Sequence, residues 1–181
     1  MEPISLLTTL NQNYIPQLQV MLTSLRSNNP GEAFTLYLLH SGIPASALDA
    51  LRRQCVAYGY TLEAVMVDNS LFEEAPITRQ YPKEMYYRLL SPLILPQEVE
   101  RVLYLDPDML IINPLRPLWE LNLCGKTFAA AAHTGLTEMA NEINQVRLDT
   151  EHEYFNSGVM LIDLNAARKL VTAEDVFRCV N

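Results

Sequence analysis

The stretch that decides the fold reads Arg101-Val102-Leu103-Tyr104-Leu105-Asp106-Pro107-Asp108. Residues 101–105 form a compact, mostly apolar run, which predicts a strand buried on both faces of a sheet. Two aspartates separated by one proline follow at once. Because ligands of open α/β sheets bind beyond the carboxyl ends of the strands, we expect Asp106 and Asp108 to border a binding site.

Asp106 and Asp108 are candidate ligands of a divalent metal ion. Two carboxylates about 4 Å apart repel each other by roughly 4 kcal/mol in a protein-like dielectric, so the pair needs a cation or a shared proton. Oxygen ligands favour Mg²⁺ or Mn²⁺, and such an ion can bridge the carboxylates to phosphate oxygens of a ligand. The motif alone is more often a solvated turn than a metal site, and both interpretations stay open at this point.

Strands and helices alternate upstream of this stretch. Apolar runs predict strands at Ile4–Thr9, 34–39 and 61–67, and apolar residues at spacings of three and four predict helices that begin near Pro16 and Pro44. This alternation is typical of βαβ units. It predicts an α/β fold in which helices flank a mostly parallel sheet.

The rest of the chain shows weaker patterns of the same kind. In chain order we expect a surface loop at 68–81, a helix at 83–90 ended by Pro92 and Pro96, a strand at 128–132, a helix at 139–146, a strand at 159–162, and a last helix opened by a capping box at 172–175. These elements extend the alternation and predict a single domain over residues 1–181.

The composition limits the class of protein and its partners. A chain of 181 residues with 49% hydrophobic and 19% charged residues suits one packed domain. The formal net charge of -8 argues against a nucleic-acid partner. Cys55, Cys124 and Cys179 are too sparse for a disulfide framework, and we expect all three to be small buried residues. With no signal peptide and no apolar run long enough to span a membrane, we expect a cytoplasmic protein.

Three more segments carry a resemblance to a known family. They are Leu10-Asn11-Gln12-Asn13-Tyr14, Lys83-Glu84-Met85-Tyr86-Tyr87-Arg88-Leu89 and Tyr154-Phe155-Asn156-Ser157-Gly158-Val159. With the DxD stretch at 101–110, they resemble in order the nucleotide loop, the helix before the DxD strand and the FN(A/S)GV segment of the retaining glycosyltransferases of family 8. That family includes bacterial lipopolysaccharide galactosyltransferases and glycogenin. The resemblance spans essentially the whole chain.

The resemblance implies a Rossmann-like GT-A fold and a hexosyltransferase. Its donor would be a UDP-sugar, its cofactor Mn²⁺ or Mg²⁺, and its acceptor a glycan or a lipid-linked saccharide, with retention of the anomeric configuration. Asp106 and Asp108 would bind the metal. The residues around the donor would be Thr9, Asn11, Asn13, Tyr14, Arg88, Asp106, Asn156 and Ser157. No residue is assigned as a catalytic nucleophile.

Several of these residues have a plainer structural interpretation. Tyr14 can stack on a base or serve as a core aromatic, Arg88 can grip a diphosphate or lie on a helix surface, and 156–158 can line the donor sugar or form a turn. Gly158 would allow close backbone approach beside the donor. Family members often have an acid where Asn11 stands, which leaves open how the edge of the uracil is contacted.

The family's third metal ligand, a histidine, lies beyond the FN(A/S)GV segment, outside residues 1–181. We therefore expect an incomplete domain, truncated at its C-terminus, that transfers sugar poorly by itself and whose missing part allows peripheral contact with the inner face of a membrane. Two alternatives remain. One is a non-catalytic protein that binds nucleotide-sugars, and the more distant one is a haloacid dehalogenase-like phosphatase.

Overall fold

The computed structural model describes residues 2–72, 75–76, 82–132 and 155–180. The strands are β1 (Ile4–Thr9), β2 (Phe34–His40), β3 (Thr61–Met66), β4 (Arg101–Leu105), β5 (Phe128–Ala132) and β6 (Phe155–Asp163). The α-helices are α1 (Ile15–Asn28), α2 (Ala45–Tyr58), α3 (Ser91–Ile94), α4 (Arg116–Trp119), α5 (Leu164–Leu170) and α6 (Ala173–Val180). Short 3₁₀ helices span Gln12–Tyr14, Asn69–Phe72 and Lys83–Leu90.

The six strands form one sheet in the order β3-β2-β1-β4-β6-β5. Strand β1 pairs in parallel with β2 and with β4, and β3 pairs in parallel with β2. Strand β6 has the reverse direction and pairs antiparallel with both of its neighbours, β4 and β5. The sheet is therefore mostly parallel and flanked by helices, as predicted. The carboxyl ends of β1, β2 and β4 meet the start of β6 at one edge.

Strand β4 is buried on both of its faces. Leu103 and Leu105 pack into the core on one side of the sheet, whereas Val102 and Tyr104 pack into the core on the other. All four side chains are at most 2% exposed. Because both faces of β4 are covered, the strand is held rigidly where it delivers Asp106 to the sheet edge, which confirms the prediction made from its apolar run.

Helices α1 and α2 have the boundaries that their sequences predict. Pro16 lies in the first turn of α1, where its missing N–H costs no hydrogen bond. Gly59 ends α2 with a φ of 78°, a left-handed conformation that favours glycine. At the other end of the chain, Thr172 and Asp175 exchange backbone and side-chain hydrogen bonds, so the predicted capping box opens α6.

The region before β4 differs from its prediction. Residues 83–90 form a 3₁₀ helix, and Pro92 does not end it, because this proline lies in the first turn of α3 and so needs no N–H. Phe72 is not on a surface loop. It is fully buried, and its ring packs against those of Tyr86 and Tyr87 because an apolar ring of this size is driven into the core.

Two further differences concern the second half of the chain. Residues 156–158 lie in β6 and do not form a turn. Helix α5 was not predicted, although Asp163 caps it by accepting a hydrogen bond from the N–H of Ala166. The helix expected at 139–146 lies outside the described residues. No helix in the described ranges has the length and apolar character needed to cross a membrane.

Only one of the three cysteines is buried. Cys55 lies in the core, and burial raises the pKa of its thiol to about 11. Cys124 and Cys179 are exposed, contrary to expectation. Cys124 has a φ of 51° in a tight turn that carries it outward, and Cys179 lies on the solvent side of α6. Apolar character alone did not bury them, because the backbone directs both side chains away from the core.

Candidate functional site

A cavity of about 200 Å³ opens at the edge of the sheet where β1 and β4 end. Its lining residues come from the end of β1, the 3₁₀ helix before β4, the DxD turn and β6. They are Thr9, Leu10, Asn11, Tyr14, Pro82, Glu84, Met85, Arg88, Asp106, Pro107, Asp108 and Ser157. The fold thus brings together residues more than 140 positions apart in sequence, and most of the predicted donor and metal residues are among them.

Asp106 is held by two side chains, those of Tyr104 and Arg88. The hydroxyl of Tyr104 donates a 2.5 Å hydrogen bond to Oδ1 of Asp106, and Nη2 of Arg88 lies 3.4 Å from the same oxygen. The guanidinium of Arg88 also lies over the Tyr104 ring, 4.3 Å from its centroid. Burial raises the pKa of Tyr104, which keeps its hydroxyl a proton donor to the carboxylate.

Arg88 is not a surface arginine. Its side chain is only 10% exposed. Besides contacting Asp106, it donates from Nε to the carbonyl of Met85 and from Nη1 to the carbonyl of Ser157, both at 2.8 Å. The planar fork of a guanidinium can serve these separate acceptors at once. Arg88 therefore ties the helix before β4, the DxD turn and β6 together at the cavity.

Gly158 provides the space that the Asp106 carboxylate occupies. A Cβ atom at position 158 would lie 2.6 Å from Oδ2 of Asp106 and 3.0 Å from Oδ1 of Asn156. The backbones also interact, because the N–H of Asp106 donates a 2.9 Å hydrogen bond to the carbonyl of Gly158. The close approach at this glycine is thus to the first aspartate of the DxD motif.

A buried carboxylate, Glu84, also borders the cavity and was not predicted to belong to the site. Its side chain is 8% exposed. Oε2 accepts a 3.3 Å hydrogen bond from Nδ2 of Asn11, and Oε1 accepts a 2.7 Å hydrogen bond from the hydroxyl of Ser41. The sequence contained a signal that was not used, since an acid within an apolar stretch needs partners if it is buried.

Three of the residues predicted to surround the sugar donor are Tyr14, Asn13 and Asn156. Tyr14 is half-buried, packs against the core and still lines the cavity, so its two interpretations are compatible. Asn13 is exposed, and its backbone N–H donates to Oδ1 of Asn11. Asn156 is exposed too, and its Oδ1 accepts a hydrogen bond from the N–H of Gly158. Neither asparagine is among the lining residues of the cavity.

The chemistry of Asp106 and Asp108 fits a hard divalent cation. Both carboxylates line the cavity, Asp108 is exposed and the Asp106 side chain is 35% exposed, so oxygen atoms of both can be reached by an ion. Within residues 2–72, 75–76, 82–132 and 155–180, no three His, Cys, Asp or Glu side chains form a cluster able to hold a metal. Two carboxylates leave positions for oxygen atoms of a ligand.

Comparison with known proteins places the chain among glycosyltransferases. Residues 5–180 match the model of the family described as glycosyl transferase family 8. General stress protein A of Bacillus subtilis is 31% identical over 99% of this chain and 63% of its own length. A lipopolysaccharide 1,2-glucosyltransferase of Escherichia coli is 24% identical over 93% of this chain and 50% of its own length. The chain thus spans about half to two thirds of these relatives.

A solved structure shows the same fold. The galactosyltransferase LgtC, crystallised with donor and acceptor sugar analogs, superimposes with a TM-score of 0.84 over 98% of this chain and 66% of its own, at 23% sequence identity. Mouse xyloside xylosyltransferase 1 superimposes with a TM-score of 0.68 over 98% of this chain and 74% of its own, at 16% identity. The α/β architecture described above is therefore of the GT-A type.

Proposed function

The chain belongs to glycosyl transferase family 8, and on that premise we propose that it binds the UDP-sugar donor of a retaining, metal-dependent hexosyl transfer. The acceptor is a glycan or a lipid-linked saccharide of the cell surface, made on the cytoplasmic side. Relatives named as lipopolysaccharide glycosyltransferases support this acceptor class. Residues 1–181 act as its nucleotide-sugar-binding domain.

One observation carries this proposal. The carboxylate of Asp106 lies at the end of a strand buried on both faces, oriented by Tyr104 and Arg88 in a cavity that Asp108 also lines. A solvated turn would need none of this support. The carboxylate is contacted by a buried hydroxyl and a nearly buried guanidinium. Such support is typical of a side chain whose orientation must be fixed.

The chain's residues have separate tasks in this proposal. Tyr14 offers its ring to the base, since it lines the cavity at the end of β1. Thr9 is 5% exposed and supports the floor, with its hydroxyl 3.5 Å from that of Tyr104. Arg88 places a positive charge beside the DxD turn, where a diphosphate would need one in a chain of net charge -8. Ser157 closes the cavity on the β6 side.

A bound Mn²⁺ or Mg²⁺ would neutralise negative charge that develops on the departing UDP. Asp106 and Asp108 are the residues that would hold it, through carboxylate oxygens that reach the cavity. Tyr104 and Arg88 fix the direction of Asp106 beforehand, so that little reorganisation is needed on binding. Gly158 keeps the space beside Asp106 free of a side chain.

The family match favours a transferase over the phosphatase alternative. In that alternative Asp106 would be a nucleophile, whereas here both of its contacts to Oδ1 come from groups that lower its nucleophilicity, a hydroxyl donor and a guanidinium. A protein that binds nucleotide-sugars without turnover is separated from a transferase by incubation with UDP-sugar and detection of released UDP and transferred sugar.

Calorimetric titration of the chain with UDP tests the proposal. We expect UDP to bind in the presence of Mn²⁺ and at least about tenfold more weakly without it, and we expect Asp108→Ala to remove the effect of Mn²⁺. Asp49→Ala is a matched control, because Asp49 is exposed on α2 and is not among the residues that line the cavity. Equal affinity with and without Mn²⁺, or an Asp108→Ala variant that behaves like the control, would contradict the proposal.

A further inference from the structure

The carboxylate of Glu84 joins the ends of two neighbouring strands. Asn11, which follows β1, and Ser41, which follows β2, each donate one hydrogen bond to it. Both donors are uncharged, so neither of them compensates the charge of the carboxylate. Glu84 is only 8% exposed. Burying an acid in this way lowers the stability of the fold. A role in ligand binding would explain why the cavity wall contains one.

The hydrogen bonds around Asn11 fix which groups face the cavity. Oδ1 of Asn11 accepts the N–H of Asn13 at 3.0 Å, while Nδ2 donates to Glu84. This pattern assigns the carboxamide orientation, because reversing it would set Nδ2 against an N–H and Oδ1 against a carboxylate. A carboxylate has about four acceptor positions and two are occupied, so Glu84 can still accept from a ligand.

The cavity that Tyr14 lines therefore also contains hydrogen-bond acceptors. Glu84, Asn11 and Tyr14 all line the same space. A planar base stacked on Tyr14 would occupy the same cavity as that carboxylate. Uracil presents an imide N–H at the centre of its pairing edge, whereas cytosine presents a ring nitrogen lone pair at the same position. A carboxylate accepts from the first and repels the second.

We propose that Glu84 determines the base selectivity of the nucleotide pocket, by accepting the imide N–H of uracil and by holding the Asn11 carboxamide beside it. The inference rests on the proposed function and adds a specificity-determining residue to it. A base without that N–H leaves the buried carboxylate facing a lone pair. Sites built to accept a particular hydrogen bond discriminate strongly against ligands that lack the donor.

The experiment compares UDP with CDP, which share the ribose and diphosphate and differ at the base edge. Affinities are measured by calorimetry in Mn²⁺ for the unmodified chain, for Glu84→Gln and for the exposed matched control Glu98→Gln. Glutamine keeps the size of Glu84 and can still accept from Asn11 and donate to Ser41. We expect the unmodified chain and the control to prefer UDP at least about tenfold. We expect Glu84→Gln to lose most of that preference, because UDP binds more weakly and the repulsion of CDP is relieved.

Each other result has a definite meaning. If Glu84→Gln keeps the UDP preference, the inference is wrong and the proposed function stands. If UDP and CDP weaken together, Glu84 only supports the cavity wall and the inference is again wrong. If the unmodified chain binds neither nucleotide, the proposed function and the inference both fail. Should Glu84→Gln not fold, Glu84→Asp withdraws the carboxylate by one methylene and must reduce the same preference.

Discussion

The hydroxyl of Tyr104 donates a hydrogen bond of 2.5 Å to Oδ1 of Asp106, two residues further along the chain. Tyr104 is the fourth residue of β4 and fully buried, whereas Asp106 lies just beyond the strand with a third of its side chain exposed. The core and the cavity are thus coupled through one side chain. The buried Tyr104 side chain orients the partly exposed carboxylate of Asp106.

Replacing Tyr104 with Phe removes this hydrogen bond and keeps the ring. Because a hydrogen bond to a charged group contributes about 1.5–3 kcal/mol, we expect UDP affinity in Mn²⁺ to fall by roughly tenfold or more. Calorimetry measures the change. The Tyr60→Phe variant is the matched control and must leave UDP affinity unaltered.

Tyr60→Phe carries an expectation of its own. The Tyr60 hydroxyl is buried, and within the described residues it has no hydrogen-bond partner. Removing an unpaired buried hydroxyl is expected to leave the free energy of unfolding unchanged or to raise it by about 1 kcal/mol. Urea unfolding of this variant and the unmodified chain tests this. A clear loss of stability would show that the hydroxyl is satisfied.

Replacing Gly158 with Ala displaces the Asp106 carboxylate. The added Cβ would lie 2.6 Å from Oδ2, and a close-packed site has no room to absorb such a contact. We expect UDP affinity in Mn²⁺ to fall at least about tenfold. Gly59→Ala is the control, and we expect it to lower stability and leave UDP affinity unchanged. Its φ of 78° makes the substitution cost about 1 kcal/mol of stability, with no atom of the cavity nearby. Equal UDP affinity in the two variants would contradict this account.

Arg88→Lys keeps the charge and loses the fork. A lysine ammonium cannot reach the carbonyls of Met85 and Ser157 and the carboxylate of Asp106 from one point. We expect UDP affinity to fall about tenfold, with most of the stability retained. Arg52→Lys is the control, since Arg52 pairs with Asp49 at an exposed position and does not line the cavity. An Arg88→Lys variant that binds UDP normally would show that charge alone is sufficient.

His40 makes the stability of the fold sensitive to acid. Nδ1 accepts the N–H groups of Gly42 and Ile43, both at 3.2 Å, and burial lowers the pKa of the imidazole from its usual 6.5. As the pH falls, His40 is therefore protonated in the unfolded chain at a higher pH than in the folded chain. The contribution of His40 to stability is complete above pH 6.5 and is lost as the pH falls through the folded pKa.

The His40→Asn variant tests the acid response. Asparagine offers an oxygen acceptor to the same two N–H groups and does not titrate. We expect the difference in unfolding free energy between pH 7.5 and pH 5 to be smaller for the variant than for the unmodified chain, as measured by urea unfolding. Other titrating groups are common to both proteins and cancel. Identical pH dependence would contradict the assignment to His40.

Much of the fold follows from local patterns. The apolar runs of β1 and β4 and the spacing of leucines in α1 predict strands and a helix because burial in a layered sheet demands those periods. Helix α5 was missed because seven residues with one cap carry too weak a periodic signal. The 3₁₀ form of residues 83–90 depends on packing against β1 and β2, which no local pattern records.

The sequence by itself determined that Asp106 and Asp108 follow a central strand, and it predicted a family 8 glycosyltransferase. Only the tertiary structure decided which groups surround those carboxylates. Tyr104 and Arg88 converge on Asp106, and Glu84 reaches Asn11 across 73 positions of the chain. The physical reason is that hydrogen bonds and ion pairs depend on distances of about 3 Å, which are set by how strands and helices pack and not by neighbours in sequence.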